Sequence, residues 1–288
     1  MYSEFKSAKP HSLNGSLESL KPDFSWFYND VNDFSLKRIP NYSGLKSLKP
    51  SDGSYWADLL KFEARNGSKR AFDTAKNRQL LNERQDFKQQ RMEDASSNST
   101  NEDYYGIIID KMPAGFNAKS LFQYIRNNFS LATYTFSEFE AYNDSERVVW
   151  NSQHYFSAVM RFKTTFDDLS VITSIENDSF WIGTPVTSYV DQGHPLAGHR
   201  QFGLAEYVNG EVKYWVFYTR AIDRPFSWVD MLVQKLIFNG ADTLWKTVMM
   251  SVGLIVSNMK GGHTADTIAF SRQADWGKDV AANLKSSG

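Results

Sequence analysis

His194, His199, Gln201, Tyr218 and Arg220 fall close together in a stretch of the chain that otherwise alternates apolar and polar residues. A histidine there can donate, accept or transfer a proton near neutral pH. An arginine offers a fixed fork of donors suited to a carboxylate or phosphate. His194 and His199 are therefore candidate general bases, with Arg220 as the electrostatic stabiliser. As a ligand site, the same region would use His199, Gln201, Tyr214, Tyr218 and Arg220. Metal chemistry is not indicated. The two histidines are five apart in a Gly/Pro segment, and no acidic third ligand stands at a characteristic spacing. The chain also lacks a Walker-type phosphate loop, a dinucleotide-binding glycine fingerprint, a nucleophile elbow and a zincin helix, so no cofactor is implied.

These residues acquire positions only if the segment folds as a hairpin. Asn209-Gly210 lies between two alternating runs, and both residues tolerate the positive φ of a tight hairpin turn. A loop at those two residues makes Asn209 and Gly210 structural and sets the register. Val208 then faces Glu211, Glu206 faces Lys213, Leu204 faces Trp215 and Phe202 faces Phe217. That apolar face should pack on helices. The alternate face carries Tyr207, Ala205, Gly203, Gln201 and His199 against Val212, Tyr214, Val216, Tyr218 and Arg220. Its small residues leave room in the middle, and its polar groups gather at the open end. Asp223 and Arg224 follow as a structural pair, read as a local ion pair.

The surrounding elements divide the chain into three. Residues 1–54 are rich in Ser, Lys, Pro, Asn and Gly with scattered aromatics, and read as an irregular arm. Residues 55–102 read as a helical region broken at Asn66-Gly67, whose charged part over 68–94 suits solvent or a protein partner. It closes with a polar linker, Ala95 to Glu102. Residues 103–288 read as an α+β domain. Tyr104 to Asp110 is a buried strand, Asn117 to Phe129 a helix, and Phe156 to Phe162, Leu169 to Ile175 and Ser179 to Thr184 are strands. A long apolar helix starts at a Ser227 cap, with a break expected at Asn239-Gly240, and ends at Gly261-Gly262. Its most apolar part, Thr247 to Ser257, is too short for a bilayer, which takes about 20 residues. A last amphipathic helix is expected over 264–285.

Bulk composition narrows the classes further. The 288 residues can bury a core. With 21 Phe, 14 Tyr and 8 Trp, there is aromatic surface for a core and a cavity alike. A net charge of −1 gives no global attraction to nucleic acid. The absence of cysteine removes disulfides and thiolate chemistry. The first 25 residues lack the apolar run of a secretory signal, so the cytoplasm is the default compartment, with specialised export left open.

The string from Gly193 to Gly203 (GHPLAGHRQFG), with Val212-Lys213-Tyr214, Arg220 and Arg224-Pro225, resembles the late strands of the START-like (helix-grip, SRPBCC) superfamily. In particular it is similar to a bacterial branch with a Gly-His-Pro-x-x-Gly pattern and no defined catalytic residue. The resemblance covers about residues 104–260. It implies a curved antiparallel sheet wrapped around a long C-terminal helix, with a cavity for an apolar ligand. Arg200 departs from the pattern, which carries an acidic residue there.

Three functions follow as expectations. The first is binding of an apolar or amphipathic, lipid-like small molecule in a cavity whose polar end is His199, Tyr218 and Arg220. The second is a hydrolase or lyase using His199 or His194 as base. The third is an exported effector or interaction protein acting at a membrane or on a partner.

Overall fold

The computed structural model describes residues 59, 67–77, 88–134, 138–152, 157–163, 168–177, 180–187, 194–209, 211–226 and 234–276. The expected arm over 1–54, the Ser227 cap and Gly210 itself lie outside them. In chain order the elements are α1 (Gly67–Lys76), β1 (Lys88–Gln89), a 3-10 turn (Met92–Asp94), β2 (Ser99–Lys111), α2 (Ala118–Asn127), α3 (Phe129–Thr133), β3 (Glu138–Ala141), α4 (Asp144–Asn151), β4 (Val159–Lys163), β5 (Asp168–Asn177), β6 (Phe180–Thr187), β7 (Leu196–Asn209), β8 (Val212–Pro225), α5 (Gln234–Ser257) and β9 (His263–Asp275). The class is α+β: a large, curved, open antiparallel sheet with a C-terminal helix on it, followed by one more strand.

Strands β3 to β8 form a meander, and β2 then pairs β8, with β9 on its far side. The order therefore brings the polar start of β2 beside the end of β8. One face of the sheet meets α5, α2 and α3. Phe202, Leu204 and Phe217 join Tyr105, Ile107, Ile109, Trp181, Trp245, Val248, Met249, Val252 and Val256 in one core there. Successive strand residues point to opposite faces, so the alternate positions, among them Tyr104, Ile108, Tyr214 and Val216, pack on the outer side. Ala71 and Ala75 of α1 cover part of that outer side, over Val159, Ile172 and Val186.

Local chemistry explains the framework. Asn117 caps α2 by accepting from the Ser120 amide at 2.9 Å, while Ser120 Oγ accepts from the Asn117 amide at 2.9 Å. This box satisfies two donors that a helix start otherwise leaves unpaired. Helix α5 runs unbroken through Asn239-Gly240, where a break was expected. A helical glycine costs about 1 kcal/mol, less than the buried stripe of Trp245, Val248, Met249, Val252 and Val256 contributes. At Gly253 an added Cβ would sit 3.3 Å from the Ile107 side chain, so this glycine lets helix and sheet approach closely. Among the described residues, no helix is long and apolar enough to cross a membrane.

Other expectations need correction. The segment expected to form the last helix is strand β9 up to Asp275, paired antiparallel with β2. Its Thr264, Thr267 and Ile268 are β-branched, which favours a strand, and its backbone pairs along the edge of β2. The charged helix expected over 68–94 ends at Lys76, and residues 88–94 form β1 and a 3-10 turn. The polar stretch Ala95 to Glu102 is not a linker at its end: Ser99 to Glu102 begins β2, and Thr100, Asn101 and Glu102 are buried. The hairpin register also differs. Asn209 pairs with Val212, so Val208 faces Lys213, Leu204 faces Phe217 and Gln201 faces Arg220. Relative to the expected register the pairing is shifted by two. Two is the side-chain period of a strand, so every side chain keeps the face expected of it.

Candidate functional site

A cavity of about 200 Å³ lies between the inner face of the sheet and α5. Phe162, Val171, Trp181, Phe202, Leu244 and Trp245 give it apolar walls, and Arg200, Asp223 and His194 give it a polar one. The aromatic walls interlock. Trp181 stacks on Phe202 with centroids 4.3 Å apart, and Trp245 meets Phe202 edge-on at 5.4 Å. Such pairs fix ring positions beyond simple burial.

The polar wall is built by β2, β7 and β8 together. Arg200 donates two parallel hydrogen bonds to Asp103, Nη1 to Oδ1 at 2.9 Å and Nη2 to Oδ2 at 2.7 Å. The Trp245 ring lies 4.3 Å beneath its guanidinium. Nη1 also reaches Thr219 Oγ1 at 3.3 Å, and Nη2 reaches Asp223 Oδ2 at 3.4 Å. Asn101 donates to Asp103 at 3.1 Å. On the helix side, the Tyr105 hydroxyl donates to Asp242 at 2.6 Å, and Lys246 pairs with the other Asp242 oxygen at 2.6 Å.

Two carboxylates thus share one guanidinium away from water. Burial pushes the Asp223 carboxyl up to about 7, against the pull of Arg200 and with added repulsion from Asp103. Burial also raises Asp103 above the ordinary carboxylate range despite the Arg200 bonds. Burial alone would lower Arg200, but Asp103 and Asp223 outweigh it and raise it. Burial, with Asp103 and Asp242 nearby, holds the Tyr105 hydroxyl well above its usual value, so it stays a donor. Asp223 is 6% exposed, and at Gly198 an added Cβ would lie 2.8 Å from its Oδ1 and 2.1 Å from the Ile222 carbonyl oxygen. Only a glycine there lets β8 and the carboxyl sit this close.

The residues singled out in the sequence fall in different places. His194 lines the cavity. Its Nδ1 lies 3.1 Å from the Leu196 amide nitrogen and 3.0 Å from the Leu196 carbonyl oxygen, and its backbone is clasped by the Gln90 side chain in two 2.6 Å bonds. His199, Gln201, Tyr214, Tyr218 and Arg220 point to the outer face and are not among the described residues that line the cavity. The structure does bring Gln201 and Arg220 together, with Arg220 Nε donating to Gln201 Oε1 at 2.6 Å. His199 is 0% exposed and meets Thr184 Oγ1 at 3.0 Å. Tyr218 stacks on Tyr104, and Tyr214 on Tyr207. Asp223 and Arg224 do not pair with each other. Asp223 faces Arg200, whereas Arg224 donates to the carbonyls of Met92, Ala95 and Ser97 on the outer side and tethers that segment to the sheet. Among the described residues, no group of three metal-ligating side chains occurs.

Asn101, Asp103, Arg200 and Asp242 were missed as site residues. A signal existed: Arg200 shares parity with Phe202, and Asp223 with Phe217, so both charges had to lie on the packed face.

No family model and no curated protein matches this chain. Parts of it are similar to solved structures at low identity. The protein XoxI from Bacillus cereus is 9% identical, over 52% of this chain and 94% of that one, with a TM-score of 0.33. A conserved protein from Geobacillus kaustophilus is 8% identical over 57% and 99%, with a TM-score of 0.35. Ara h 8.0201 is 7% identical over 52% and 97%, with a TM-score of 0.28. At these scores the likenesses assign neither a family nor a function.

Proposed function

We propose that this protein binds a small, mainly apolar molecule in the cavity between the curved sheet and α5. The observation that carries this reading is the cavity itself, about 200 Å³ of space with aromatic walls and one charged wall. Small aromatics enter apolar cavities of about 150 Å³, so the volume suits one ring or a short chain rather than a whole lipid. The polar end of the ligand would meet Asp223, Arg200 and His194. Ligand-observed NMR with small aromatics, on the native chain and on Leu244→Trp, tests this. Binding that the tryptophan abolishes is expected. No binding by any ring to the native chain would sink the reading.

A second reading is a proton-transfer enzyme. It is favoured by Asp223, which titrates near 7, standing in the same wall as His194. A group titrating close to the working pH is suited to general acid–base work. It requires an activity with a pH profile that Asp223→Asn flattens, while small aromatics still bind.

A further inference from the structure

We propose that the cavity's ligand is a small ring-bearing amine whose protonated nitrogen sits against the Asp223 carboxylate. This rests on the ligand-binding reading above and specifies the ligand class.

The charged wall is out of balance. Arg200 carries one positive charge and faces two carboxyls, Asp103 and Asp223. Its fork is committed to Asp103 by two short bonds, and one face of its plane is covered by Trp245. Asp103 receives a third bond from Asn101. Asp223 receives much less. Among the described residues its carboxyl meets Arg200 alone, at 3.4 Å, well beyond the 2.7–2.9 Å or so of a charge-assisted bond. Asp242, the carboxylate that α5 brings near this wall, is already held by Tyr105 and Lys246. The under-partnered group is thus also the one that lines the cavity.

Ligand chemistry follows from that imbalance. An anion would meet Asp223 and find both terminal nitrogens of Arg200 already donating to Asp103. An uncharged ring would fill the space but leave the carboxyl to keep its proton. A protonated amine supplies both donors and charge, so two cations would face two carboxylates. His194 shares this wall, its Nδ1 placed 3.1 Å from the Leu196 amide nitrogen and 3.0 Å from the Leu196 carbonyl oxygen. The apolar walls leave room for roughly one ring beyond the nitrogen, which points to short arylalkyl or cycloalkyl amines.

The test uses calorimetric titration of the full chain at pH 8 with toluene, benzylamine and benzoate. Benzylamine should bind at least about tenfold more tightly than toluene, as a charge-assisted bond to a buried group implies, and benzoate more weakly than either. Asp223→Asn should bring benzylamine down to the affinity of toluene. Should that variant not fold, the native chain still decides: at pH 6.5, titrations of benzylamine in two buffers of different ionisation enthalpy should show a proton released from Asp223. Toluene binding as tightly as benzylamine, or benzylamine binding without proton release, would overturn the amine assignment and leave the cavity reading intact. Failure of all three probes would remove the cavity reading itself.

Discussion

Asp223→Asn should change how the stability of this protein depends on pH. In the unfolded chain the carboxyl titrates at its ordinary value of 3.8, and in the fold burial raises it to about 7. Between those values the folded state holds a proton that the unfolded state has lost. Stability from this group is therefore present in full below pH 3.8 and is lost as pH rises through about 7. At 1.36 kcal/mol per pH unit the whole window corresponds to about 4 kcal/mol, of which about 3 kcal/mol falls between pH 5 and pH 8. Asparagine has a similar shape, can still accept from Arg200, and does not titrate. Titrating groups remote from this wall contribute to both proteins alike, and Asp103, which repels Asp223 across Arg200, titrates together with it, so the difference reports the charged wall as a unit. Urea unfolding of both proteins at pH 5, 6.5 and 8 should show the variant gaining about 3 kcal/mol relative to the native chain over that range. Parallel stability curves would mean that Asp223 ionises in the fold as readily as in water, and that the charged wall is wetter than its packing indicates.

Arg200→Met removes the single cation between Asp103 and Asp223 and should cost about 3–5 kcal/mol at pH 8. The loss should shrink at pH 5, where the carboxyls can take up protons, and urea unfolding at both pH values checks this. Trp245→Ala deletes the ring that underlies Arg200 and meets Phe202, and should cost about 3–5 kcal/mol in the same assay. His199→Ala breaks the bond to Thr184 on the outer face and should cost about 1–3 kcal/mol. It should leave toluene and benzylamine affinity within twofold of the native chain, as read by calorimetry. A loss of binding in that variant would place the ligand on the outer face instead.

The hairpin and its two faces were legible in the sequence. Phe202, Leu204, Trp215 and Phe217 alternate with His199, Gln201, Tyr214 and Tyr218, and that alternation survives the two-residue change in register. The long helix was legible from its apolar spacing, and α2 from its apolar stripe. The first half of β2 was not. Ser99 to Asp103 is as polar as any loop, because those residues are stabilised by partners distant in the chain, Arg200 and Arg272 among them. Strand β9 was obscured for a related reason, since an edge strand with half-exposed side chains carries a weak periodic signal.

The sequence by itself determined which side chains of β7 and β8 share a face, because alternation is a property of the strand alone. The tertiary structure decided which of those faces encloses the cavity. That choice depends on where α5 lies and on β2 returning beside β8, contacts that local sequence does not encode. The histidine and arginine that drew attention, His199 and Arg220, point away from α5. The carboxyl read as half of a local ion pair, Asp223, lines the cavity, and its partner is Arg200, 23 residues away on the neighbouring strand.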